Sequence, residues 1–187
     1  MNKKSKIPKT GRIGQWVKAM GYEEISQSVI EEVMQSVDTF TSISNPAKKA
    51  EWIKDTAERL KNLAGKKTCI QVMEKKGRIC CGATLRNKAK KFMKESKSIK
   101  EFIEKLNSMR GYTFKLKDNN TIVGGYDKCY CGLVNKTKMP FKNLTYCYCG
   151  VGHIKQFFES ALEKPVEVEL VQSVITGAKT CEFIIHI

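Results

Sequence analysis

The apolar period of this chain changes at Gly111. Before it, hydrophobic residues recur at three- and four-residue spacing; after it they alternate. Two such blocks in one chain predict an α+β fold with a helical N-terminal half and a C-terminal half carrying an antiparallel sheet flanked by helices. From Tyr22 to Phe40, Ile25, Val29, Val33 and Val37, joined by Ile30 and Met34, predict one amphipathic helix. Asn45 followed by Pro46 marks a second start, because the Asn side chain caps free amides and Pro has no N–H to lose at the first helical position. Ala50, Ile53, Ala57, Leu60 and Ala64 then face inward, and Gly65 is placed to end the helix through a positive φ. A third helix is expected over Thr68 to Lys76, with Cys69, Val72 and Met73 buried and Gly77 closing or kinking it. The adjacent thiols Cys80 and Cys81 follow at a helix exit, one expected to face the core and the other a site. Leu85 to Met93 and Ile99 to Met109 read as two more helices, with Ser98 capping the second.

Beyond Gly111, Tyr112-Thr113-Phe114-Lys115-Leu116, an Asp118-Asn119-Asn120 turn and Thr121-Ile122-Val123 predict a hairpin, with Gly124-Gly125 as a bulge. His153 to Glu163 reads as a helix bearing Ile154, Phe157, Phe158, Ala161 and Leu162, ended by Pro165. Val166, Val168 and Leu170 alternate with Glu167 and Glu169 as a strand. Cys181 to Ile187 returns as its partner after a Thr176-Gly177-Ala178 turn.

A length of 187 residues suits one domain spanning 1–187, with 1–10 as a flexible basic arm, 11–110 mainly helical and 111–187 sheet-rich. No apolar stretch approaches the ~20 residues that cross a bilayer, and the basic start has no apolar segment after it, so a cytoplasmic chain is expected. In that reducing compartment eight cysteines are expected as free or metal-bound thiols rather than disulfides. The formal charge of +15 invites phosphate-rich partners, and eleven basic residues stand against three acidic ones between Arg86 and Lys117. The aromatics there, Phe92, Phe102, Tyr112 and Phe114, occupy core positions. The run therefore reads as a solvated helix face, and nucleic acid is not the expected partner.

Two matching cassettes carry the chemistry: Cys129-Tyr130-Cys131-Gly132 and Cys147-Tyr148-Cys149-Gly150. Two thiolate pairs on neighbouring loops can complete a tetrahedral Zn²⁺ shell, and the glycine after each pair frees the backbone to turn. Zinc ribbons usually separate the pair by two residues, and if the cassettes are strands the same thiols are buried side by side. Metal ligands, buried or redox-active thiols, and disulfides are all open to them. A nucleophilic Cys149 or Cys147 served by His153 is a further possibility, His153 lying four residues beyond Cys149 near a helix start. His186 is expected on the outer face of the last strand.

The run Tyr146-Cys147-Tyr148-Cys149-Gly150-Val151-Gly152, with Phe158-Glu159, Pro165-Val166-Glu167-Val168-Glu169, Ser173, Gly177 and Cys181-Glu182-Phe183, resembles the carboxy-terminal half of the 4-vinyl-reductase-type small-molecule-binding domains. Their fold is shared with trafficking-complex subunits and haem-based nitric-oxide sensors. Gly77-Arg78-Ile79-Cys80-Cys81 and Tyr126-Asp127-Lys128-Cys129-Tyr130-Cys131 are similar to a group of uncharacterised cysteine-rich bacterial and archaeal proteins, some of them like L-2-amino-thiazoline-4-carboxylic acid hydrolases. The first resemblance implies a homodimer formed through helices, a pocket for a small apolar or aromatic ligand with Tyr130, Tyr148 and Phe157 as candidate walls, and a zinc ion near it. In the zinc-bearing sensors the ligands are a cysteine before the long helix, an acid and a cysteine on the next strand, and a cysteine after the turn. Cys147 and Cys181 fit the outer places, while Leu170 and Ser173 stand where the acid and the middle cysteine belong. Cys149, Cys129, Cys131 or Cys80 are the substitutes at hand. The expected role is a small-molecule sensor or carrier with a zinc-binding cysteine cluster; the alternative is a thiol hydrolase or other enzyme using Cys147 or Cys149 with His153.

Overall fold

The computed structural model describes residues 7–187. Most of the expected basic arm, its first six residues, lies outside the described residues; Gly11 already opens α1 (Gly11–Tyr22). The single helix expected from Tyr22 to Phe40 is instead two short ones, α2 (Gln27–Val33) and α3 (Val37–Ser42). The break has a local cause. Ser36 holds a left-handed conformation at φ 60°, and the entry to α2 is set by Glu24 at φ 54° and by Ser26, whose hydroxyl accepts from the Val29 amide. The hydrophobic spacing survives the break because both pieces lay their apolar sides on one core.

Asn45 caps α4 (Pro46–Cys80) as its chemistry dictates, its Oδ1 accepting from the Ala47 amide at 2.9 Å. Gly65, at φ 83°, interrupts the helix, which resumes at once. The expected ending at Gly77 is not seen: the helix runs through Gly77 to Cys80 because another helix lies against that glycine. After α4 come α5 (Ala83–Lys94) and α6 (Ile99–Asn107), the latter capped by Ser98 accepting from the Glu101 amide at 3.2 Å.

The C-terminal half holds an antiparallel sheet in the order β1-β2-β4-β3, with β1 (Lys115–Asp118), β2 (Thr121–Tyr126), β3 (Glu167–Gln172) and β4 (Cys181–His186). The chain is thus α+β, with its helices ahead of and beside the sheet. The bulge expected at Gly124-Gly125 is absent from the β2–β4 ladder, whose register runs unbroken from Thr121↔His186 to Tyr126↔Cys181. Gly124 is needed for close approach instead: a Cβ there would lie 2.1 Å from the Thr113 carbonyl oxygen. Along β4 the side chains of Cys181, Phe183 and Ile185 are buried and those of Glu182 and His186 exposed, as a half-covered strand requires.

The cover comes from α7 (Tyr148–Leu162), which begins at the second cassette, five residues ahead of the expected His153. Two clusters of buried side chains result. One is formed by α1 to α4 with Val134, Phe141, Tyr146 and Ile175. The other joins α7 and the sheet to α5 and α6, around Phe102, Phe114, Phe157 and Phe158. Half-buried Tyr148 packs against both. The basic residues Lys88, Lys90, Lys91, Lys94, Lys97 and Lys100 are exposed, while Phe102 and Phe114 of the same stretch are fully buried. No described helix is long and apolar enough to cross a membrane.

Candidate functional site

The site is built where α4 crosses α7. Both helices present glycine at the crossing, and neither tolerates a side chain. A Cβ on Gly77 would lie 1.9 Å from the Cys149 carbonyl oxygen, and one on Gly152 would lie 1.8 Å from that of Glu74. The contact is fastened on the far side by Arg78, which grips Glu159 through two hydrogen bonds of 2.5 and 2.9 Å, and by Lys155 on Glu74 at 2.9 Å. This close approach sets Cys149 and His153 of α7 beside Lys76 and Cys80 of α4.

In front of the crossing lies a cavity of about 380 Å³. Six of the eight cysteines line it: Cys80 from the end of α4, Cys129 and Cys131 from the loop after β2, Cys147 and Cys149 from the start of α7, and Cys181 from the start of β4. Cys69 belongs to the N-terminal core and Cys81 to the C-terminal one. The Cys80-Cys81 pair thus divides as its sequence suggests, one thiol to the site and one to the core. All eight are free thiols.

The sulfurs are held as hydrogen-bonding groups. Arg12 donates to Cys80 Sγ at 3.3 Å, and Cys131 Sγ lies 3.3 Å from Tyr146 Oη. Ser173 Oγ stands between Cys147 Sγ, at 2.9 Å, and Cys181 Sγ, at 3.7 Å; the Val174 amide also donates to Cys181 at 3.5 Å. Leu170 and Ser173, which stand where the resemblance implies an acid and a cysteine, both line the cavity with Cys147 and Cys181. Those four positions do come together, with a methyl-bearing chain and a hydroxyl at the two that lack a strong donor.

Burial decides the protonation of these thiols. It pushes Cys129 up to about 12, the sulfurs of Cys131, Cys181 and Cys149 adding to the effect against a backbone hydrogen bond. Cys147 is raised further still, chiefly by burial and against the hydroxyl of Ser173. Cys149 is raised to about 11, again by burial, with the Lys76 ammonium pulling the other way. At neutral pH these three are thiols, not thiolates. His153 is drawn down to about 4 by burial and by the Arg12 guanidinium, so its imidazole is neutral. Among the described residues no hydrogen bond joins His153 to Cys149 or to Cys147.

The donor set is of the kind zinc prefers, soft sulfurs with nearby cations to offset their charge once ionised. Its placement is not that of a closed shell. Among the described residues no three Cys, His, Asp or Glu side chains stand close enough to hold one ion.

Of the expected wall residues, Tyr130 lines the cavity; it is 43% exposed at the rim and donates its hydroxyl to Asp127 at 2.8 Å. Gly111, at φ 89°, makes room for that hydroxyl. Tyr148 and Phe157 do not line it: Phe157 stacks on Tyr112 in the C-terminal core, 5.9 Å between ring centroids, and Tyr148 packs between the two clusters. His186 is exposed on β4, its Nε2 2.8 Å from Glu169 Oε1, as expected. The aromatic walls are instead Tyr112, Tyr126, Tyr146 and Phe183.

Sequence reasoning passed over the cations. Arg12, Lys76, Arg110 and Lys128 line the cavity, and among the described residues no carboxylate does. Lys76 had a readable signal. It continues the buried helical spacing of Cys69, Val72 and Met73, a position where a lysine needs a reason. Arg12 and Arg110 are brought in by tertiary packing and had none.

The chain belongs to a family of unknown function, DUF6144, whose profile matches residues 7–187. No curated protein shows a significant match to it.

Proposed function

We propose that this member of a family of unknown function is a binding domain for a small, largely aromatic or apolar molecule, acting as a sensor or carrier in the cytoplasm. The observation that supports this is the cavity of about 380 Å³, walled by five aromatic rings and six thiols drawn from separate parts of the chain. That volume falls in the range of small-molecule sites, and an aromatic wall with a few polar groups is the usual composition of such sites. Free thiols throughout accord with a reducing compartment.

The reading is tested by titrating the protein with 2-naphthol and following its Tm. A ligand bound only by the folded state raises Tm with concentration. A saturable rise is expected, and it should vanish in Leu170→Trp, which fills the cavity from β3. No rise, or a rise that survives Leu170→Trp, overturns the reading.

The rival is a thiol enzyme using Cys149 or Cys147 with His153. It requires a thiolate or a base in reach of the thiol; burial keeps the sulfurs protonated and weakens the imidazole as a base, and among the described residues no hydrogen bond joins it to either sulfur. Alkylation at pH 7 decides it. The binding reading expects slow labelling of Cys129, Cys147 and Cys149 alike, whereas a nucleophile would label far ahead of its neighbours.

Zinc is a second proposal, favoured by the number of thiols at the cavity. It requires side-chain rotation to bring Cys147 and Cys181 together with sulfurs from Cys129, Cys131, Cys149 or Cys80. About one zinc per chain in protein purified without chelator would support it; a metal-free protein that folds and binds 2-naphthol would rule it out.

A further inference from the structure

Lys76 is fully buried, and its ammonium has no hydrogen-bond partner among the described residues. It lies 5.7 Å from the ring centre of Trp16 and 5.6 Å from that of Tyr146, contacts that favour a cation without neutralising it. An ammonium removed from water and left unpaired is among the least favourable arrangements a protein interior contains. The residue nevertheless faces a cavity whose other charged lining groups, Arg12, Arg110 and Lys128, are all positive. Arg12 is engaged with the Cys80 sulfur, a partner without formal charge when protonated. The nearby carboxylate of Asp127 is turned to Tyr130 at the rim. Lys76 therefore marks a place inside the cavity where negative charge is wanted and where, among the described residues, no carboxylate supplies it.

From this we infer that the ligand is an aromatic or apolar acid, its anionic group docked on Lys76 at the α4–α7 crossing and its hydrophobic body against Tyr112, Tyr126, Tyr146 and Phe183. The inference rests on the small-molecule reading above and names the chemical class of its ligand. Lys76, itself fully buried, supplies a charge-assisted hydrogen bond, and Arg12 and Arg110 add a field of the same sign. A neutral molecule of the same shape would leave the ammonium unpaired and also strip it of any water it holds.

The test compares 2-naphthoate with 2-naphthamide, which share shape but not charge, by isothermal titration of wild type and Lys76→Met. Wild type should prefer the acid by on the order of tenfold to a hundredfold, the worth of one hydrogen bond to a charged group. In Lys76→Met that ratio should fall towards one. The ligand-free variant should also melt above wild type, because an unpaired buried charge has been replaced by an apolar chain of similar length. Equal affinities in wild type would overturn the inference and leave the cavity reading standing. Neither compound binding would overturn both. A Lys76→Met variant that keeps the preference, or that melts well below wild type, would assign Lys76 a purely structural role and overturn the inference.

Discussion

His153 shows how one side chain couples the site to pH. Its folded-state value, about 4, lies below the ordinary 6.5 because burial and Arg12 disfavour the imidazolium. As pH falls through 6.5 the unfolded chain takes up the proton first. The stabilising contribution is therefore complete above pH 6.5, declines on the way down to about 4, and declines no further below it. Urea unfolding at pH 7 and pH 4.5 should show wild type losing about 2 kcal/mol through this group, a loss that His153→Gln lacks. Equal losses in the two proteins would show that the imidazole is not held neutral. The same burial logic predicts that alkylation of Cys129, held up at about 12, accelerates close to tenfold per pH unit from 7 to 9, as thiolate fraction controls the rate. A pH-independent rate would contradict it.

At the scale of elements, the crossing of α4 and α7 matters most. Gly77→Ala and Gly152→Ala each force a methyl into a backbone carbonyl of the opposite helix, and overpacking of that kind costs about 1–3 kcal/mol. Both should lower the urea midpoint, and because the helices must part to admit the methyl, both should weaken 2-naphthol binding. Unchanged stability in either would mean the helices do not meet as described. This crossing also marks the limit of what the sequence discloses. The helical half, the hairpin, the strand pair at the C-terminus and the caps at Asn45 and Ser98 follow from period and side-chain chemistry, and all are found. Gly77, Gly150 and Gly152 read locally as breakers. All three lie inside helices, and at Gly77 and Gly152 the backbone of the other helix comes too close for a Cβ, which is tertiary information that no local pattern carries. For that reason α7 starts at the cassette rather than after it.

For the molecule as a whole, two cores, one centred on α1 to α4 and the other on α5 to α7 with the sheet, meet at Tyr148, and the cavity opens beside that junction. The two cassettes announced the site by their repetition. Cys80 and Cys181 were legible only as candidates, and Lys76 only as an unexplained charge on an apolar stripe. What joins them is chain topology: the loop after β2, the start of α7 and the start of β4 converge on the last turns of α4. The convergence of these sulfurs is the premise of both the binding site and any metal site. It can be measured by treating the folded protein at pH 9 with dibromobimane, which bridges neighbouring thiols, and mapping the linked peptides by mass spectrometry. A bridge between Cys147 and Cys181, whose sulfurs flank Ser173, is predicted, with Cys69 unlinked. Bridges that join Cys69 to the cassettes, or no bridge among Cys129, Cys131, Cys147, Cys149 and Cys181, would contradict it.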